Sequence, residues 1–205
     1  MNQKIRWIGL AAMTLALSAL GRAQDPGMNA PAPSDQPRAD ARNDASSSIE
    51  SWPTNTKVTA QHLIDKYGPP DRANDSRLVW NDRGQWSQIR LFREGASDNF
   101  PTTHKDVVEN TIRYDVPQDK AGELTKFDSA LEVDRLSGTL SARSDSEEAN
   151  ILALNLADEI VRGKRDVDSA RDFMRSTLRK SMAGKSSPYT DHLLFPVASR
   201  EKPQN

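Results

Sequence analysis

The sequence predicts an α+β fold: an antiparallel sheet of about five or six strands packed against a central helix, with further short helices. Three observations carry this reading. Two turn signatures, Asn81-Asp82-Arg83-Gly84 and Ser137-Gly138, each separate runs that read as paired strands. Residues 106–116 alternate apolar and polar side chains, the period of a half-buried strand. Residues 146–162 repeat at helical spacing, and their apolar arc of roughly 200° is too wide for a helix covered on one side only.

The elements follow in order. Thr59 caps a helix over 60–66 that presents Leu63, Ile64 and Tyr67. Gly68 suits the left-handed residue that ends a helix, and Pro69-Pro70 bars continuation. Strands over 77–81 and 85–93 form a hairpin through a type I turn with Gly84 left-handed. That loop sets Asn81 opposite Gln85, Trp80 opposite Trp86 and Leu78 opposite Gln88. Val79, Ile89 and Leu91 then point to the other face, so both faces need cover. In the 106–116 strand, Val108, Ile112, Tyr114 and Val116 share one side. A helix over 118–127 turns Leu124 and Phe127 inward. A second hairpin pairs 131–136 with 139–143 and sets Glu132 opposite Arg143. Asp145, with Glu148 three residues on, makes a capping box for the long helix. Asn150 projects into the apolar arc and Asn155 onto the polar side. Gly163 ends that helix. Asp166 caps another over 167–182, and Gly184 ends it. Residues 192–195 read as a short final strand.

The N-terminus speaks to compartment. Lys4 and Arg6 precede an apolar run over 7–20, and Gly21-Arg22-Ala23 supplies small residues for cleavage. This is a secretory signal peptide over 1–23, and its run is shorter than the about 20 residues of a membrane span. Residues 24–56 carry Pro26, Pro31, Pro33, Pro37 and Pro53 among Ala, Ser, Asp and Asn, with Ile49 and Trp52 as the only large aliphatic or aromatic groups. That composition predicts a disordered linker, with Trp52 as the place where packing begins. A single domain then spans 57–196, and 197–205 reads as a flexible tail. Removing Lys4, Arg6 and Arg22 from the 28 basic residues leaves 25 against 29 acidic, a net charge of −4. That argues against nucleic acid as a partner. Cysteine is absent, so the exported chain folds without disulfides. No integral membrane segment remains after cleavage.

Catalytic and cofactor signatures are missing. The three histidines, His62, His104 and His192, have no His or Cys at ligand spacing. Serine-nucleophile and phosphate-loop motifs are absent. We therefore expect no catalytic residue, no metal and no cofactor. His104 and Asp106 alternate at a strand start, so both face one site. Asp128, Glu132, Asp134 and Asp145 converge near the second hairpin with Arg135 and Arg143. Two surfaces read as binding candidates. Tyr67, Trp80, Trp86 and Phe92 form an aromatic platform if exposed, and core packing if not. Arg171, Arg175 and Arg179 recur at i, i+4 and i+8 as a stripe for an anionic partner, or as a solvated helix face.

The run from His62 to Pro70, with Tyr67-Gly68-Pro69-Pro70, followed by Leu78-Val79-Trp80, resembles the small envelope modules of the lactamase-inhibitor and outer-membrane assembly lipoprotein group. The chain departs from those lipoproteins in having no Cys to carry lipid. Residues 57–195 also resemble exported bacterial proteins of unknown function, through Phe100-Pro101 to Pro117 and Ser141 to Leu156. Neither likeness supplies a catalytic residue. The expectation is a periplasmic or secreted, non-catalytic protein that binds a protein or polymer of the cell envelope. The alternative is a metal-independent or carboxylate-dependent hydrolase of envelope material, acting through a carboxylate or His104.

Overall fold

The computed structural model describes residue 45 and residues 47–198. The signal peptide over 1–23, the first part of the linker over 24–56 and the end of the tail over 197–205 lie outside the described residues.

The elements are α1 (Thr54–Tyr67), β1 (Arg72–Asn74), β2 (Arg77–Arg83), β3 (Trp86–Asp98), β4 (His104–Arg113), α2 (Ala121–Phe127), β5 (Leu131–Asp134), β6 (Thr139–Ser144), α3 (Glu147–Val161), α4 (Val167–Met182) and α5 (Pro188–Asp191). The fold is α+β. The strands form one six-stranded antiparallel sheet in the order β1-β2-β3-β4-β6-β5.

Register separates the two faces of this sheet. Leu78 pairs with Leu91 and Leu91 with Val108; Trp80 pairs with Ile89, and Ile112 with Leu140. All seven are fully or almost fully buried. Asn150 of α3 donates to Val108 O (3.1 Å) and Asn110 Oδ1 (2.8 Å), so α3 lies on this face. The other face is polar. There Arg90, Glu109 and Arg143 stand in one cross-strand row, and Thr111 Oγ1 bonds Ser141 Oγ at 2.9 Å. Glu109 and Thr111 are buried, so β4 is covered on both sides, more than its alternation alone predicts.

Several local expectations need correction. The first hairpin closes through the two-residue loop Gly84-Gln85, with Arg83 opposite Trp86. Gly84 at φ 57° occupies the first loop position, which suits a type II′ turn better than the longer loop. Trp80 therefore faces Ile89, not Trp86, and the apolar groups Leu78, Trp80, Ile89 and Leu91 share a single face. The second hairpin slips by two residues, with Asp134 opposite Thr139 and Glu132 opposite Ser141. Asp134 Oδ1 accepts from the Leu136 and Ser137 amides, which builds a four-residue loop. A shift of two keeps each side chain on its expected face.

Other corrections concern helices. Helix α1 begins at Thr54, and Thr59 is inside it, donating to Asn55 O. Ala45, Ile49 and Trp52 are buried in the core, so packing starts before residue 57. The cap of α3 is Ser146, whose side chain accepts from Ala149 N, while Asp145 Oδ1 accepts from Ser146 Oγ. Helix α4 has its expected bounds and its Asp166 cap. Residues 192–195 form no strand. Ser187-Pro188 instead starts α5, the Ser cap and Pro first-turn pattern. Asn155 is buried, not on a polar side. Its amide donates to Tyr189 O and His192 O, and its Oδ1 accepts from Leu194 N. The C-terminal segment thus covers a face of α3 that periodicity alone leaves open.

Strand β3 continues past Arg93 through a bulge. Leu91 pairs with Val108 and Ala96 with Asp106, so residues 92–95 face Val107 alone. At Gly95 a Cβ would lie 2.9 Å from the Asp106 backbone N and C and from Val107 Cγ1. Gly95→Ala is expected to cost about 1–3 kcal/mol by overpacking, read as a lower urea midpoint. An unchanged midpoint would mean the bulge yields freely. Among the described residues, no helix is long and apolar enough to cross a membrane.

Candidate functional site

The bulge carries β3 on to Asp98, which pairs with His104 at the start of β4. Between them runs a connection through Phe100 and Pro101. This connection, α4, the N-terminal half of α3 and the α2–β5 turn enclose a cleft of about 440 Å³. Its apolar lining includes Phe100, Ala149, Ala153, Met174 and Leu178.

The charged lining comes from separate elements. Helix α4 supplies Arg175 and Arg179, and β6 supplies Arg143. Carboxylates come from Asp98 at the end of β3, Asp128 after α2 and Asp145 before α3. Local turn chemistry sets the acids. Asp98 Oδ1 accepts from Phe100 N at 2.7 Å, and Asp128 Oδ1 from Ala130 N at 2.9 Å. Burial pushes the Asp128 carboxyl up to about 6, opposed by its bond from Ala130 N and raised further by Asp98 and Asp106. Burial likewise raises Asp106, with His104 pulling the other way.

His104 and Asp106 do come together. Nε2 stands 2.9 Å from the buried Asp106 Oδ1, close enough for charge attraction, although the ring aims no hydrogen bond at that oxygen. Nδ1 lies 2.7 Å from Thr102 O. Thr102 O orients the ring through Nδ1, and Nε2 faces the buried carboxylate. Among the described residues, no group of three or more His, Asp or Glu is placed to hold a metal ion.

The aromatic platform does not form. Trp80 is 0 % and Trp86 1 % exposed. Their indole N–H groups are spent inside: Trp80 donates to Gly68 O at 2.9 Å, and Trp86 to Glu147 Oε1 at 2.8 Å and to Tyr67 Oη at 3.1 Å. Tyr67 is half-buried and donates to Glu147, and burial and that carboxylate raise its phenol well above the ordinary value. Lys66 closes this cluster on Glu147 at 2.9 Å. Phe92 is elsewhere, under the Arg143 guanidinium at 4.0 Å. Such packing follows from Trp size and its need for one hydrogen bond.

The arginine stripe also divides. Arg171 donates to Phe127 O at 2.5 Å and lies 3.8 Å over the Phe100 ring, tying α4 to α2 and to the cleft wall. Arg175 pairs with Asp172 at 2.8 Å. The Arg179 side chain has no hydrogen bond or ion pair among the described residues. Of the carboxylate cluster, Asp128 and Asp145 reach the cleft, while Glu132 and Asp134 belong to β5 and its turn. Sequence reasoning missed Asp98, Phe100 and Leu178 as site residues. The Asn99-Phe100-Pro101 loop was the signal for the first two; nothing local marked Leu178.

No protein-family model, no curated protein and no solved structure matches this chain.

Proposed function

We propose that the chain is an exported, non-catalytic binding protein of the cell envelope, and that its ligand, a protein segment or polymer, enters the cleft between α3 and α4. The observation that carries this reading is the cleft itself. Its volume of about 440 Å³ lies within the span of ligand sites, and it joins an apolar floor to a few charged groups. Among the described residues, Arg179 stands on its wall without a hydrogen-bond or ion-pair partner. Export rests on residues 1–23 of the sequence.

The test is occupancy of the cleft. The dye 8-anilinonaphthalene-1-sulfonate is expected to bind saturably at one site with a rise in fluorescence. Leu178→Glu, which places a carboxylate on the floor, is expected to abolish that binding while circular dichroism stays unchanged. Absence of saturable binding, or equal binding by a folded Leu178→Glu variant, overturns the assignment.

One observation favours a second reading, the carboxylate-dependent hydrolase. A carboxyl pushed up to about 6 inside a cleft suits a general acid near neutral pH. Under that reading Asp128→Asn removes turnover of envelope material and leaves dye binding intact.

A further inference from the structure

The cleft is lined by charges of both signs, with Arg143 from β6 standing beside the carboxylates. Helix α4 brings only cations to it, Arg175 and Arg179. Carboxylates come from the ends of β3 and α2, Asp98 and Asp128, and from Asp145 before α3. Asp98 and Asp106 both repel a charge on Asp128, and Arg171 is the cation that meets it from α4. A bound ammonium would relieve that repulsion. A bound carboxylate would find the Arg179 guanidinium, unpaired among the described residues, which forms charge-assisted hydrogen bonds with such groups. Between the two lies apolar surface from Phe100, Ala153 and Leu178. An anionic ligand would engage the arginines alone and a cationic one the carboxylates alone, whereas a zwitterion engages both sets.

Resting on the cleft as the binding site, we infer that its ligand is a short zwitterionic peptide. The peptide's carboxylate sits at Arg179 and Arg175, its ammonium faces Asp98 and Asp128, and one apolar side chain rests on the floor. Peptides with both free termini, or with a free amine and a free carboxylate on side chains, share this chemistry.

The experiment titrates the full chain without residues 1–23 at pH 8, where Asp128 is ionised, with the tripeptide Ala-Leu-Ala. Three forms are compared by calorimetry: free termini, N-acetylated and C-amidated. The free form is expected to bind best, and each blocked form about tenfold more weakly, the cost of one charged hydrogen-bond partner. Arg179→Ala is expected to weaken the free form by a similar factor and to erase the difference between free and amidated forms. That cancellation is a result a merely structural role for Arg179 would not give. N-acetyl peptide binding as tightly as the free form overturns the inference in favour of an anion site. Equal weakening of all forms by Arg179→Ala overturns the placement of the carboxylate. Saturable dye binding with no peptide binding sinks the peptide alone; loss of both sinks the cleft as a binding site.

Discussion

Trp80→Ala is expected to lower the unfolding free energy by about 3–5 kcal/mol, the usual cost of deleting a fully buried large aromatic. Trp80 has 0 % exposure and sits on the apolar face of β2, opposite Ile89. Its removal opens a cavity between that strand and α1. It also strands the Gly68 carbonyl, which now accepts from the indole at 2.9 Å. Gly68 is left-handed at φ 80° and ends α1, so the bond fixes the point where the helix turns into the sheet. Against a total of about 5–15 kcal/mol, such a loss leaves little margin. Urea denaturation at fixed slope checks it. Trp80→Phe, which keeps most of the ring volume and loses only the N–H, is expected to cost distinctly less. A Trp80→Ala loss below about 0.5 kcal/mol would be surface behaviour and would contradict the packing described.

This expectation also shows why the sequence was legible in part. Period and punctuation are local. Helix α4 kept its bounds because Asp166 caps it and the apolar spacing through Ala170 and Met174 is unambiguous. That a strand runs through residues 106–113 followed from clean alternation. Register was less accessible, because it depends on which turn closes a hairpin. Gly84 serves two turn types, and the two place Trp80 against different partners. That single ambiguity exchanged a surface platform for a core. Asn155 failed for another reason. Its surroundings are set by Tyr189, His192 and Leu194, more than 30 positions away in sequence. The cleft is non-local in the same sense: Asp98, Asp128, Asp145 and Arg179 meet only after the sheet and helices have assembled. The residue types were visible in the sequence, but their convergence was not.

Asp128→Asn is expected to make the protein more stable at pH 7, by up to about 3 kcal/mol. The sign follows from proton binding. The carboxyl has a folded value near 6 against 3.8 in the unfolded chain. Between about pH 4 and pH 6 the folded state therefore holds a proton that the unfolded state has released. Stability contributed by this group is present at low pH, falls as pH rises through that window, and is flat above it. Asparagine removes the titration and can still accept from Ala130 N through its own Oδ1; it gives up the attraction of Arg171, which trims the gain. Asp134 and Asp166 act in the opposite sense, since amide and hydroxyl donors lower both and their contributions fade as pH falls. The parent curve mixes these effects, so the check is the difference between variant and parent across pH 4–8. It should be near zero at pH 4, grow to pH 6 and level off. A parallel pair of curves, or a variant less stable at pH 7, would contradict a buried carboxyl with a raised proton affinity. A buried carboxyl whose ionisation lowers stability at pH 7 is a candidate functional group. Asp128 lines the cleft proposed above as the binding site.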